Sequence, residues 1–492
     1  MSADVCLLLE GTYPYVTGGV SSWTHDLILA QKDLTFHLVT LLPKSANLTP
    51  KYQLPSNVVG ATNVFIQQLP VGRSSVPRAR AFFDALEPPL LRLQRGGDLG
   101  DLREILGIVS PQRHRLGNGV LLNSPEAWQM VRRMYTATVP QSSFLDYFWS
   151  WRSLVGGLYS VLLADLPEAS VYHAVSTGYA GLVLARAAIE TGRPGLLTEH
   201  GIYTNERRIE MAMANWLHDV WAQGLAVDTG RRSLKDVWVD TFIGYSHCCY
   251  EAAAEIITLY EGNQQFQLQD GADLEKMRII PNGINYDLYS VVPRVKSARP
   301  TIALIGRVVP IKDIKTYIRA CAMVKVAVPD LSALVLGPTD EDEVYYHECL
   351  EMVKQMHLEG TVTFTGKVKL SEYLGGIDVV VLTSISEAQP LVVLEAGAVG
   401  VPSVTTDVGS CRDLMLGSAL EAPPLGPGGD VTPLCNPSAT AQALIKLLTD
   451  PSWYAQCAAA MKARVGRYYN KTGVDRTYRE LYDRHLTTKA VA

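Results

Sequence analysis

The stretch "DVVVLTSISEAQPLVVLEAGAVGVPSV" (378–404) reads as a strand, a loop and a helix. The apolar run after Asp378 has no polar alternation, which predicts a strand buried on both faces, ending near Leu382. Glu387 falls in the loop. Pro390 suits the first helical turn, where a missing N–H costs nothing. Glu395 then lies about one and a half turns into the helix. The free N–H groups near Leu391 and Val392 point out of that first turn and favour an anion.

The same rhythm extends outward. Upstream come a strand "RPTIALIGRV" (299–308), a helix to residue 328, a strand "LSALVLG" (331–337), a helix to residue 357, a strand "TVTFTG" (361–366) and a helix "LSEYLGG" (370–376). The N-terminal block repeats the pattern: a strand within "VCLLLEG" (5–11), a helix in "GGVSSWTHDLILAQKD" (18–33) with Val20, Trp23, Leu27 and Ala30 on one face, and a strand "LTFHLVTLL" (34–42). It resumes with "SVYHAVS" (170–176), a helix (177–192), "PGLLTEHG" (194–201), "AEIITLY" (254–260) and "KMRIIPNGI" (276–284). Short buried strands alternating with amphipathic helices predict parallel sheets covered by helices on both faces. The fold class is therefore α/β, with two Rossmann-like, doubly wound halves. The aperiodic "VVPRVKSARP" (291–300) is the expected linker. Residues from about 70 to 165 read as a helical insertion in the first half, rich in arginine. That bias fits either a solvated helical face or a docking surface for a membrane or an acidic partner. The tail (472–486) reads as one more helix, with a Thr472/Asp475 capping signal.

Composition narrows the function. Of 492 residues, 47% are apolar and 19% charged, which supports large cores rather than disorder. A net charge of −5 argues against a nucleic-acid binder. The eight cysteines form no CxxC, so reduced thiols in a cytoplasm are expected. The first residues lack the positive region of a signal peptide. The longest apolar stretch, "SLVGGLYSVLLADL" (153–166), is too short to span a bilayer. Neither GxGxxG nor a Walker A motif occurs. "AVSTG" (174–178) reads as a capped helix start rather than a nucleophile elbow.

In open α/β sheets ligands bind beyond the carboxyl ends of strands. Four such loops carry chemistry. Gly18 and Gly19 open a helix after the first strand and let a ligand approach the backbone. His200 ends the strand in "LTEHG". Arg307 and Lys312, in "GRVVPIK", put two cations at a strand mouth, where they suit a diphosphate. Glu387 and Glu395 flank a helix N-terminus and can accept hydrogen bonds from sugar hydroxyls. Hydroxyl, diphosphate and hydroxyl in series describe a sugar nucleotide.

Arg307 and Lys312, followed by the E-x7-E of "EAQPLVVLE" (387–395), resemble the retaining GT-B glycosyltransferases of family 4. The likeness continues through "GGVSSW", "TEHG", "IIPNGIN", "FTGKVKLSEYLGGIDVVVLTS" and "GVPSVTTDVGS", in the family's order. The resemblance implies two Rossmann-like domains facing across a cleft: an acceptor domain (1–293), a nucleotide-sugar domain (294–468) and a terminal helix (469–492) packing back on the first. It implies a UDP-sugar donor, with Arg307 and Lys312 on the diphosphate, Glu395 on the ribose, Glu387 on the transferred sugar, and uracil near Lys367 and Val368. His200 would approach the reacting carbon, and the Gly18–Gly19 loop would cover the phosphates. It further implies a saccharide acceptor, an exopolysaccharide product, membrane-embedded synthase and export partners, and a place in the cytoplasm or peripheral at the inner membrane. No cofactor and no metal are expected. "DED" (340–342) resembles a metal-binding D-x-D, but it follows a strand in the wrong fold for that role and reads as a helix cap. Where the family often has E-G-F-G, this chain has Glu387-Ala388-Gln389-Pro390, which leaves the preferred sugar open. Two other readings stay open: a UDP-sugar epimerase of the same architecture and a non-catalytic nucleotide-sugar scaffold.

Overall fold

Thirteen strands, all parallel, form two separate sheets among the described residues of a computed structural model. The structure describes residues 2–43, 48–213, 232–295, 297–418 and 421–486. Lys296 of the expected linker and residues 487–492 of the expected terminal helix lie outside them.

The first unit comprises Met1–Thr258, Asn263–Ile279 and Tyr478–Ala492. Its chain order is β1 (Ala3–Glu10), α1 (Gly19–Ala30), β2 (Phe36–Leu42) and β3 (Val58–Phe65). Five helices follow: α2 (Ala79–Leu93), α3 (Leu99–Val109), α4 (Asn118–Leu121), α5 (Pro125–Thr138) and α6 (Phe144–Leu163). Then come β4 (Ala169–Ala174), α7 (Tyr179–Thr191), β5 (Gly195–Glu199), α8 (Tyr203–Met213), α9 (Leu234–Ala252), β6 (Ala253–Thr258), α10 (Glu261–Gln269) and β7 (Met277–Ile279). The sheet order is β3-β2-β1-β4-β5-β6-β7. Strand order reverses between β1 and β4, so a crevice opens at their carboxyl ends.

The second unit, Leu259–Gly262 and Ile280–Thr477, holds α11 (Tyr286–Ser290), β8 (Thr301–Ile305), α12 (Ile314–Ala327), β9 (Ser332–Leu336), α13 (Glu343–Gln355), β10 (Val362–Gly366) and β11 (Val379–Leu382). It continues with α14 (Leu391–Val399), β12 (Ser403–Thr406), α15 (Cys411–Leu416), β13 (Gly429–Thr432), α16 (Pro437–Thr449) and α17 (Pro451–Tyr468); α18 (Lys471–Leu486) starts here, and its residues from Tyr478 on belong to the first unit. The order β10-β9-β8-β11-β12-β13 places this sheet's reversal between β8 and β11. The stretch 291–300 lies inside this second unit, and the chain divides after Ile279.

Several local expectations are corrected. The buried face of α1 is Ser21, Thr24, Leu27 and Ile28, while Ala30 is exposed, because the sheet contacts a stripe rotated from the most apolar one. "LSEYLGG" forms two 3-10 turns instead of a helix. Its paired glycines and short length do not sustain α-helix. The cap of α18 is Asn470, whose side chain accepts from the Thr472 N–H at 3.1 Å. The start of α7 is capped from another element: the Glu10 carboxylate accepts from the Ala180 N–H at 3.2 Å. Strands β3, β12 and β13 were not anticipated. β3 is an edge strand with alternating exposure, and the other two have only four residues each.

The arginines of α2–α6 are largely tied to protein partners. Arg92 meets Asp101 and Glu104, both at 2.5 Å; Arg133 meets Glu87 at 2.7 Å; and the Arg113 guanidinium donates to the Ala164 carbonyl at 2.7 Å. On α18, Tyr482 hydrogen-bonds His173 of β4 at 2.7 Å, and Arg484 pairs with Glu255 at 3.0 Å.

Candidate functional site

The carboxyl edge of the second sheet brings two of the expected residues into contact. β8 delivers Arg307 and then a 3-10 turn at Pro310–Lys312; β11 delivers the loop carrying Glu387. These loops are stitched by backbone. The Thr383 hydroxyl donates to the Lys312 carbonyl at 2.9 Å, and the Ile385 N–H to the Ile311 carbonyl at 2.8 Å. The Lys312 ammonium therefore lands on the Glu387 carboxylate, although 75 positions separate them in sequence. Glu387 also accepts the Ser384 hydroxyl at 2.7 Å. Both side chains of the pair are mostly shielded, at 20% and 15% exposure. Arg307 is exposed and pairs with Glu341, the middle residue of the "DED" run. Asp342 caps α13 by accepting from the Tyr345 N–H at 2.9 Å.

Helix α14 begins beside this pair. Pro390 is its N-cap residue, so the N–H groups of Leu391 and Val392 open its first turn. Glu395 is half-buried and accepts the Tyr289 hydroxyl at 2.9 Å. Burial raises its pKa, and the Tyr289 hydrogen bond partly opposes that. Lys367 and Val368 follow β10, two strands from β8 and so roughly 10 Å along the sheet. Lys367 is exposed, while Val368 packs against an apolar cluster that includes Leu336 and Leu374.

Sequence reasoning missed Gln389. Its amide oxygen accepts from the Asn282 N–H at 2.8 Å, and its nitrogen donates to the Asn282 carbonyl at 3.4 Å. The side chain thus fixes the "PNG" turn (281–283) against the loop of Glu387. Gly409 was missed too. Its φ is +53, and a Cβ there would lie 2.2 Å from the Glu387 carbonyl oxygen, so the loop after β12 closes directly on this backbone. No local pattern signals either contact.

In the first unit, Gly18 and Gly19 are exposed, and a Cβ at either would meet nothing within 4 Å. Gly18 has an extended φ of 169, so the fold itself does not require glycine there. His200 lies beside Trp23, with ring centroids 4.5 Å apart and nearly perpendicular. Its Nε2 is buried without a hydrogen-bond partner, and burial lowers its pKa to about 4. The ring is therefore neutral near pH 7. The crevice between β1 and β4 is occupied by Glu10, which the sequence reading passed over. Its carboxylate accepts from the Tyr203 hydroxyl at 2.7 Å and the Ala180 N–H at 3.2 Å, and burial raises its pKa. Glu199, one residue before His200, is also buried with a raised pKa, but it is held by Tyr250 at 2.8 Å and Gln267 at 2.9 Å. It is a structural carboxylate.

Among the described residues, no three His, Cys, Asp or Glu side chains are placed to hold a metal ion, and no helix is long and apolar enough to cross a membrane.

Two doubly wound parallel sheets with a cation-carboxylate pair at a strand reversal define a GT-B fold. Residues 299–450 match the model for glycosyl transferases group 1. Residues 3–275, more than half of the chain, match the model described as "Domain of unknown function (DUF3492)", and the chain belongs to that family. Solved structures agree in fold. HepE of Anabaena in complex with UDP superposes with a TM-score of 0.59 at 14% identity, covering 98% of this chain and 99% of that one. Sucrose-phosphate synthase of Thermosynechococcus elongatus superposes at 0.57 with 17% identity, covering 99% and 100%. In sequence, the D-inositol 3-phosphate glycosyltransferase of Paenarthrobacter aurescens is 30% identical over 152 residues, 28% of this chain and 37% of that one. The N-acetyl-alpha-D-glucosaminyl L-malate synthase of Bacillus anthracis is 28% identical over 176 residues, 35% and 42% respectively. The chain thus spans about two fifths of the length of these curated relatives.

Proposed function

We propose that the chain is a retaining glycosyltransferase that moves a hexose or N-acetylhexosamine from a UDP-sugar onto a growing exopolysaccharide. The observation that carries this reading is the Lys312–Glu387 pair at the β8/β11 reversal, beside the α14 N-terminus and inside the segment that matches group 1 glycosyl transferases. HepE has been crystallised with UDP and also with UDP and glucose, which supports a uridine donor for this fold. The resemblance of the whole chain to the Pel glycosyltransferase PelF supports a Pel-type, biofilm-matrix product. It also supports membrane-embedded Pel synthase and export partners, with the chain cytoplasmic or peripheral at the inner membrane.

In this reading the glycosidic C–O bond breaks as the sugar carbon takes on oxocarbenium character, and negative charge grows on the departing diphosphate. Lys312, Arg307 and the first N–H groups of α14 stabilise that charge; removing one such donor costs roughly 10²- to 10³-fold in rate. Arg307 turns from Glu341 to the phosphate. Glu387 and Glu395 hold sugar and ribose hydroxyls, and uracil sits at Lys367 and Val368. Neutral His200 offers its unpartnered Nε2 to a sugar hydroxyl. Retention follows from front-face attack, with the leaving phosphate oxygen taking the acceptor proton. No step passes through a metal or another cofactor.

The test is UDP release from UDP-glucose and UDP-N-acetylglucosamine, with and without a saccharide acceptor. Release that rises with acceptor supports transfer. Acceptor-independent interconversion of the sugar would replace it with an epimerase, and tight UDP binding without turnover would replace it with a scaffold.

A further inference from the structure

Helix α6 carries two adjacent glycines in its interior, where glycine is unfavourable relative to alanine. Packing explains Gly157: a Cβ there would lie 2.3 Å from the Tyr179 hydroxyl. Packing does not explain Gly156, whose Cβ would meet only a Leu122 methyl group, at 3.9 Å. Gly156 instead floors a pocket of about 280 Å³. This is near the lower end of small-ligand sites, which run from about 300 Å³.

The walls are mixed in chemistry. Gln67 and Leu69 come from the loop that leaves β3, which is pinned to α6 by the Ser160 hydroxyl donating to the Ile66 carbonyl at 2.8 Å. Asn118 and Leu122 come from the segment around α4; Arg152 and Ser153 come from α6. Trp149 stands at the rim, 59% exposed, its ring braced edge-on against Phe148 at 5.2 Å. The Arg152 guanidinium is held in place by donating to the Leu122 carbonyl at 3.2 Å and to the Asn123 amide oxygen at 3.0 Å. Asn118 is oriented by accepting from the Asn123 amide at 3.0 Å, which leaves its own NH₂ available. Since β3 is parallel to β1, Gln67 leaves the sheet on the same carboxyl edge as Gly18.

We propose that this pocket is a second saccharide site, holding one sugar ring of a neutral glycan chain. An exposed aromatic face attracts the weakly positive C–H face of a pyranose through the ring quadrupole. Amides and a hydroxyl both donate and accept, which matches sugar hydroxyls. A phosphate ligand would call for several cations, whereas among the described residues Arg152 is the one cation in the lining and is partly engaged. The inference rests on the proposed glycosyltransferase reading for its biological sense: a sugar site on the first unit, separate from the residues proposed to bind the nucleotide, would retain the chain between additions.

The experiment titrates the full-length protein with cellotetraose, maltotetraose and tetra-N-acetylchitotetraose, read by calorimetry and ligand-observed NMR. Wild type, Trp149→Ala and Gly156→Ala are compared. Gly156→Ala adds a methyl to the floor and favours the helix, so it is expected to fold at least as well as wild type. At least one oligosaccharide is expected to bind wild type, roughly tenfold or more weakly to Trp149→Ala, and measurably more weakly to Gly156→Ala. Equal binding by all three proteins, or no binding of any probe to wild type, overturns the proposal. A UDP titration of the same wild-type sample tests the glycosyltransferase reading separately, so the two can fail independently.

Discussion

Replacing Lys312 by alanine is expected to remove most of the affinity for UDP, while Glu387→Gln is expected to preserve or improve it. In the structure the ammonium is shared before any ligand arrives, because Glu387 already holds it and both side chains are largely shielded. Two unit charges about 4 Å apart interact by about 4 kcal/mol at an effective dielectric of about 20. The net worth of a hydrogen bond to a charged group is smaller, about 1.5–3 kcal/mol. Lys312→Ala loses this attraction to the diphosphate and leaves the Glu387 carboxylate uncompensated beside an anion. A loss of about 3 kcal/mol follows, or roughly 10²-fold in Kd. Glu387→Gln keeps the shape and can still accept from Ser384, but it removes one negative charge. At about 8 Å and an effective dielectric of about 40, that charge opposes the ligand by about 1 kcal/mol, so UDP binds roughly fivefold tighter. Sugar transfer falls all the same, because the group that orders the sugar hydroxyls has been weakened. Isothermal calorimetry with UDP on both variants, alongside turnover of the UDP-sugar, reads all of this. A Lys312→Ala protein that binds UDP within threefold of wild type would refute the reasoning, as would a Glu387→Gln protein that binds tenfold more weakly.

Three further outcomes are expected. Arg464 and Glu421 form a buried pair, at 0% and 5% exposure, with Arg464 also donating to the Leu414 carbonyl at 3.0 Å and the Gly426 carbonyl at 2.6 Å. Arg464→Met strands the carboxylate and should cost about 3–5 kcal/mol in urea unfolding; a loss below about 1 kcal/mol would contradict the pairing. His173 and His200, with pKa values lowered to about 3 and about 4 by burial, should show no NMR titration between pH 8 and 5.5. The unfolded chain takes up those protons near pH 6.5 and the native state does not. Each ring therefore costs up to about 1.4 kcal/mol of stability per pH unit as pH falls below 6.5. The buried carboxyls of Glu10 and Glu199 act in the opposite sense, since their pKa values are raised. An imidazole resonance from either histidine that moves near pH 6.5 would show its ring to be solvated. Finally, if Arg307 and Lys312 carry the charge that a metal carries in D-x-D transferases, excess EDTA should leave turnover unchanged; a loss restored by Mg²⁺ or Mn²⁺ would place the charge elsewhere.

Much of the second unit was legible because its signals are local. The run at Val379–Leu382, Pro390 at the helix start and Gly400 with φ +84 at its end set strand, loop and helix from short-range sterics and burial. β3 was not legible, since an edge strand with alternating exposure looks like any polar segment, and neither were the four-residue β12 and β13.

What the sequence determined by itself is periodicity and chemistry: two α/β blocks, two cations after one strand, and two carboxylates around one helix start. Tertiary structure alone decided their partners. Lys312 meets Glu387 because β11 crosses to the far side of β8, a choice made by packing two helical layers onto one sheet. Gln389 clamps Asn282 from 107 positions away, Glu10 caps a helix 170 positions later, and Gly156 opens a pocket walled by two other segments. Hydrogen bonds and burial at such separations depend on where the chain returns in space, which no window of the sequence contains.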